Sequence, residues 1–200
     1  MITVVDYDAG NILSVMNALA RIGKSARLAC DPFAVERADF VLLPGVGAFG
    51  AAMRSLKKRE LDKALKARFA ANRPTLGICL GLQLLFEGSD ESGGERGLEL
   101  LKGRVCALPE KDNTVPHIGW STVRNCSGEF APFENEYFYF VHGYAAMDVE
   151  SGFVAAYSDY GAEFAAAVAC GNTVACQFHP EKSGAKGLEL LRRLTKEARE

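Results

Sequence analysis

The strongest constraint on this chain lies in residues 2–78, where short apolar runs alternate with longer stretches of helical character. "ITVVD" (2–6), "SARLAC" (25–30), "DFVLLP" (39–44) and "TLGI" (75–78) read as strands. Between them, "NILSVMNALARIG" (11–23) sets Ile12, Val15, Leu19 and Ile22 at helical spacing and stops at Gly23. Residues 49–72, rich in alanine, leucine, lysine and arginine, read as one further helix. Strands alternating with helices specify a parallel sheet covered on both faces, because parallel neighbours need a crossover between them. Ligands of such sheets bind beyond the carboxyl ends of the strands, where Gly10, "PGVG" (44–47) and Cys79 all fall.

The second half changes character. "GRVCAL", "HIGWSTV", "EYFYFVHGY", "GFVAAYS", "FAAAVACG" and "TVACQFHP" are short β-like segments separated by turn residues, and "EGSDESGGERG" (87–97) is a loop. A closing helix over 183–198 carries Leu188, Leu191 and Leu194 on one side. With no linker, repeat or low-complexity tract, residues 1–200 are expected to form one domain. The predicted class is α/β: a mostly parallel central sheet with helices on both faces, plus a small antiparallel side sheet.

Charge and cysteine usage narrow the chemistry. A net charge of −2, without a basic cluster, leaves no footprint for nucleic acid. "KKRE" (57–60) and "LRRLTK" (191–196) read as solvated helix faces. No stretch reaches the roughly 20 apolar residues that span a bilayer, and "MITVVDYDAG" has no basic start, so a cytoplasmic setting is expected. Six scattered cysteines without a CxxC pair, and three distant histidines, give neither a disulfide framework nor zinc spacing.

Within "PTLGICLGLQLLFE" (74–87), Cys79 stands between Gly77 and Gly81 where a strand meets a helix. Glycines there permit a tight turn and close approach, which suits a nucleophile raised on a sharp strand-to-helix elbow. A core cysteine beside a helix start fits the stretch equally well. "CQFHPEK" (176–182) tips the balance, since His179 and Glu181 stand two apart at a strand end. In extended chain such residues point the same way, so the carboxylate can hold one imidazole nitrogen while the other faces outward. A capped strand end and a solvated turn would explain each residue singly. Jointly with Cys79, they supply the base and orienting acid that a thiol nucleophile needs. "LLPGVGAFG" (42–50) offers backbone amides to a developing oxyanion, or is only a tight turn.

Together, "GICLGLQLLFE", "LLPGVGAFG" and "FHPEKS" resemble the class I, triad-type glutamine amidotransferases. "DYDAGN" (6–11), "PHIGWS" (116–121) and "YFYFVHGY" (137–144) resemble the branch formed by the glutaminase subunits of imidazole glycerol phosphate synthase, in histidine biosynthesis. The resemblance implies Cys79 as nucleophile, His179 as general base and then acid, and Glu181 as its orienter. It implies an oxyanion hole from the N–H groups of Val46 and Leu80. L-glutamine would be held by Gly45, Gln83 and the backbone at His142, Gly143 and Tyr144. Ammonia released from glutamine would pass to a (β/α)8-barrel cyclase subunit in a heterodimer, whose interface would use Asn11, Trp120, Tyr139 and Lys182. No cofactor and no metal is implied.

This chain departs from the branch's usual glycine at Asp8, asparagine at Ser121, and serine or threonine at Gly143. Asp8 and Ser121 are expected in loops near the mouth of the site or the partner face; Gly143 removes a hydroxyl. A glutaminase of another pathway, such as the one feeding pyridoxal phosphate synthesis, would share the triad but not "PHIGW" or "DYDAGN". A silent binding module would have lost a triad member, and a γ-glutamyl peptidase would be indifferent to a cyclase. Because Gly45 and Gly47 let a peptide plane turn over at little steric cost, the oxyanion hole is expected to be switchable.

Overall fold

The computed structural model describes residues 1–8, 11–111 and 113–196. The first half runs β1 (Ile2–Val5), α1 (Ile12–Arg21), β2 (Ala26–Ala29), α2 (Pro32–Arg37), β3 (Phe40–Leu43), α3 (Phe49–Lys58), α4 (Leu61–Ala70), β4 (Thr75–Ile78) and the single turn α5 (Leu80–Gln83). It continues with β5 (Arg104–Ala107), β6 (His117–Thr122), β7 (Tyr137–His142), β8 (Tyr144–Met147), β9 (Val154–Asp159), β10 (Glu163–Cys170), β11 (Thr173–Cys176) and α6 (Gly184–Leu194).

Seven strands form the central sheet in the order β2-β1-β3-β4-β11-β10-β9. The first five are mutually parallel, and β10 runs antiparallel to both β11 and β9. The strands alternate between two cores, as the period-2 geometry of a sheet requires. Phe40 and Leu42 face the core shared with α1 and α6, while Val41 and Leu43 face the core built with α3 and α4. The expected class is therefore what the chain adopts, but the side sheet is two separate antiparallel pairs, β5-β8 and β6-β7.

Several expectations are corrected. Residues 49–72 form two helices, because Glu60 takes a left-handed conformation (φ 58°) that no helix can propagate through. α2 was not anticipated, although Asp31 accepts from the Ala34 N–H at 2.7 Å and Pro32 opens the helix, a recognisable start signal. "EYFYFVHGY" is two strands of different sheets, divided at Gly143. Ser121 lies within β6, not in a loop. The closing helix is described from Gly184 to Leu194, and the end of its expected span, like Gly10, lies outside the described residues.

One buried charge fixes the entry to β4. Arg68 of α4 is fully buried; its Nη1 donates to the carbonyls of Val35, Glu36 and Ala38, and its Nη2 to that of Pro74 at 2.7 Å. Burial lowers its pKa to about 10, so it remains cationic at neutral pH and pairs with the carbonyl ends of α2. The strand that carries Cys79 at its far end is thereby tied at its start.

Candidate active site

Cys79 follows β4 directly and adopts φ 54°, ψ −108°, a conformation non-glycine residues enter only under constraint. Its N–H donates to the Cys176 carbonyl of neighbouring β11 at 2.8 Å, and its own carbonyl accepts from the N–H groups of Leu82 and Gln83. One end of the residue is thus held as strand and the other as helix. The flanking glycines are explained by proximity: a Cβ at Gly81 would lie 2.1 Å from the Leu43 carbonyl oxygen, and one at Gly77 2.9 Å from the Ala175 Cβ. The elbow reading of Cys79, rather than the plain core cysteine, matches this backbone.

His179 comes from the chain just beyond β11. Its backbone N–H donates to the Tyr139 carbonyl at 2.9 Å, and its Nδ1 lies 2.7 Å from Glu181 Oε1. Both side chains are 1% exposed. The contact arises differently from the extended chain expected: Pro180–Lys182 form a 3-10 turn that folds Glu181 back onto the imidazole. Ser183 locks this turn, its hydroxyl donating to the His179 carbonyl at 2.6 Å while accepting from the Tyr139 N–H. Burial by itself would push the His179 pKa down, but Cys79 and Glu181 outweigh it and raise the group to about 9. His179 Nε2 and Glu181 Oε2 are buried without a hydrogen-bond partner among the described residues.

The Val46 and Leu80 amides, expected to form an oxyanion hole, are not aligned together as donors. The Leu80 N–H donates to the Gly45 carbonyl oxygen at 3.4 Å. In a trans peptide C=O and N–H point oppositely, so the Val46 N–H, which shares that plane, is directed away from Leu80. Gly45 is hemmed in, since a Cβ there would meet Tyr7 Oη at 2.6 Å and Leu80 Cβ at 2.7 Å. Gly47 has φ 104°, open to glycine alone. The Tyr7 hydroxyl donates to the Pro44 carbonyl at 2.6 Å and anchors the start of this turn. Burial, reinforced by Cys79, raises the Tyr7 pKa, so its proton stays on.

A cavity of about 290 Å³ opens over Cys79, lined also by Val46, Leu80, Gln83, His142, Gly143, Tyr144 and Lys182. Gln83 is buried, donating from Nε2 to the Tyr144 carbonyl at 2.8 Å and to Gln177 Oε1 at 3.1 Å. His142 Nδ1 donates to the same carbonyl at 2.9 Å. Burial holds the His142 pKa down at about 3, the Tyr144 carbonyl opposing and the charges of His117 and His179 assisting, so the ring is neutral. A Cβ at Gly143 would meet nothing closer than Val115 Cγ1 at 3.5 Å, so the missing hydroxyl is not excluded by space. Glu91 also lines the cavity and accepts from the Phe49 N–H at the start of α3. Its placement comes from the 87–97 loop and had no signal in the sequence.

Of the expected interface residues, three cluster. Trp120 is 53% exposed and stands edge-on to Tyr139, with ring centroids 6.1 Å apart, and the Lys182 ammonium lies 6.0 Å from the Tyr139 centroid. Asn11 stands apart from them as the cap of α1, accepting from the Ser14 N–H. Ser121 hydrogen-bonds His117 Nε2 at 3.0 Å, and His117 is stacked on Tyr160 and Phe140. Asp8, where glycine was expected, has φ 64°, a left-handed backbone that glycine adopts most readily; its carboxylate pairs with Arg59.

Gln177 also reaches the site, without a reactive group to single it out in the sequence. Its Nε2 lies 3.5 Å from Cys79 Sγ, and its side chain is fully buried. The alternation that placed His179 could have found it, since Gln177 stands two residues before. All six cysteines are free, and burial, with Glu181 and Cys79, pushes the Cys176 thiol up. Among the described residues no group of three His, Cys, Asp or Glu side chains is arranged to hold a metal, and no helix is long and apolar enough to cross a membrane.

Residues 3–197 match the family described as "Glutamine amidotransferase class-I". The chain is 45% identical to imidazole glycerol phosphate synthase subunit HisH of Rhodopirellula baltica over 197 residues, covering 96% of each. It is 46% identical to the subunit of the same name from Methanothermobacter thermautotrophicus over 194 residues, again 96% of each. Among solved structures, a crystal structure of a glutamine amidotransferase superposes with a TM-score of 0.78 over 99% of both chains at 18% identity. PurLQS of Thermotoga maritima gives 0.74 at 17% identity.

Proposed function

Because the chain belongs to the class I glutamine amidotransferases, and within them to the glutaminase subunits of imidazole glycerol phosphate synthase, we propose that it hydrolyses L-glutamine through a cysteinyl thioester and hands the ammonia to a cyclase subunit. The observation that carries this reading is the convergence of Cys79, on its strained turn, with the His179–Glu181 pair. The Cys79 thiolate attacks the side-chain carboxamide carbon of glutamine, placing negative charge on the carbonyl oxygen. Imidazolium His179, held by Glu181, gives its proton to the leaving nitrogen, and ammonia departs as the C–N bond breaks. A water then enters, His179 takes its proton, and the hydroxide attacks the thioester. The C–S bond breaks to give glutamate and the thiolate again. Val46 and Leu80 would supply the oxyanion donors. Gln83 and the 142–144 backbone would hold the amino-acid head.

The cyclase, a (β/α)8 barrel in this reading, would combine the ammonia with a phosphoribulosyl-formimino intermediate. The products are imidazole glycerol phosphate and an aminoimidazole carboxamide ribotide of histidine biosynthesis. The Trp120–Tyr139–Lys182 cluster, of which Lys182 lines the Cys79 cavity, is the part of the surface best suited to couple the two subunits. The same reading makes residues 1–200 one amidotransferase domain and its setting cytoplasmic. The test is glutamine hydrolysis with and without the cyclase, combined with labelling by a glutamine-like diazo-ketone. Label on Cys79 and loss of hydrolysis in Cys79→Ala are expected. Label chiefly on another cysteine overturns the assignment.

A further inference from the structure

The hydrogen-bond directions around Gln83 are fixed by one atom. The Tyr144 carbonyl can only accept, so the group Gln83 turns toward it at 2.8 Å must be its NH2. The second hydrogen of that NH2 then needs an acceptor, and Gln177 Oε1 lies 3.1 Å away. With its oxygen so committed, Gln177 turns its own NH2 to Cys79 Sγ at 3.5 Å. Its backbone cannot shift to escape, because its N–H donates to the Ala166 carbonyl of β10 at 2.8 Å. Both hydrogens of Gln83 are spent inside the protein, so the atom it offers to the Cys79 cavity is its carbonyl oxygen.

We propose that Gln177 is a positioning residue with two effects, donating to the Cys79 sulfur and locking Gln83 with its oxygen toward the substrate's α-ammonium. The second effect rests on the glutaminase reading above; the first does not. An N–H donor beside the sulfur favours thiolate over thiol, because only the anion gains a charge-assisted bond. The other titratable groups around Cys79 are His179 and Glu181 beyond β11, Cys176 at its end, and Tyr7 beyond β1. Glu91, His142 and Lys182 line the cavity. Tyr7 and Cys176 hold their protons and His142 is neutral.

The experiment compares the parent chain with Gln177→Leu and Gln177→Glu by the pH profile of Cys79 alkylation with iodoacetamide, a reagent that needs no glutamine site. In Gln177→Leu the profile's midpoint should rise by about one pH unit, the scale of a lost bond to a charged group. Its high-pH plateau should rise about threefold, since a more basic thiolate is the better nucleophile. Gln177→Glu keeps an acceptor for Gln83 but sets a carboxylate beside the sulfur. Its midpoint should rise further, and glutamine turnover with the cyclase should lose kcat at near-parental KM. An unchanged midpoint in both folded variants overturns the proposal. If Gln177→Leu does not fold, Gln177→Glu decides alone. A parent that alkylates normally yet never hydrolyses glutamine, even with the cyclase, overturns the glutaminase reading and the Gln83 half only.

Discussion

The Gly45 carbonyl oxygen accepts a hydrogen bond from the Leu80 N–H, the two groups meeting at 3.4 Å across the mouth of the Cys79 turn. In the proposed mechanism this contact occupies the amide that would receive the oxyanion and sets a carbonyl where the second donor would stand. Turning over the Gly45–Val46 peptide would replace that carbonyl with an N–H. A missing oxyanion donor reduces turnover by roughly 100- to 1,000-fold. The isolated chain is therefore expected to hydrolyse glutamine very slowly, and the cyclase with its nucleotide ligand to accelerate it mainly in kcat. Steady-state kinetics of free and complexed chain check this; full activity of the free chain would contradict it.

His179→Ala should abolish glutamine-dependent synthesis in the complex while sparing synthesis driven by added ammonium salt. In the proposed mechanism this side chain serves glutamine hydrolysis alone, in both ammonia release and thioester hydrolysis, and takes no part in the cyclase chemistry. Parallel assays with the two nitrogen sources decide it, and loss of both activities in an intact complex would refute the division of labour.

The raised His179 pKa also has a pH signature. Its folded value, about 9, lies above the ordinary 6.5, so the folded state binds the proton more tightly. The resulting stabilisation is complete below pH 6.5 and is lost as pH rises through 9. Denaturant midpoints of the parent should fall across that window more steeply than those of His179→Gln. Equal slopes would show that the imidazole does not hold its proton as described.

Arg68→Met removes a cation that four carbonyl groups share while sparing most of the side-chain volume. The Val35, Glu36 and Pro74 carbonyls keep the Ala38 N–H, Arg73 and the Val41 N–H as donors. The buried Ala38 carbonyl loses its Arg68 donor, which should cost about 2 kcal/mol, read as a lower urea midpoint with an unchanged m-value. Lys should rescue little, because an ammonium cannot reach Val35 and Pro74 with the planar fork of a guanidinium.

Most strands of the central sheet were readable because they are short apolar runs ended by turn residues, and burial on both faces writes that pattern directly into sequence; the edge strand β2, with Arg27 and Leu28 exposed, shows it least. The break at Glu60 was not, since neither Arg59 nor Glu60 carries a helix-stop signal, and packing of Leu61 overrides local preference. Cys79, His179 and Glu181 stood out through reactive side chains at strand ends. Gln177 did not, because a neutral amide draws notice only once its partners are known. Glu91 and Tyr7 reach the site through loop closure and packing, which spacing along the chain does not encode.

The pairing of β4 with β11 sets an order of events during synthesis. Cys79 and Gln177 are 98 residues apart in the chain, yet they meet because β11 slots between β4 and β10. A ribosome can complete β1 to β4 and expose the thiol long before Thr173 emerges. Until then the cysteine has neither its imidazole, nor its amide donor, nor the Cys176 carbonyl that holds its turn. Closing a contact of such long range is slow. The nascent chain therefore carries a thiol without its partners, and those partners arrive together with the last strand.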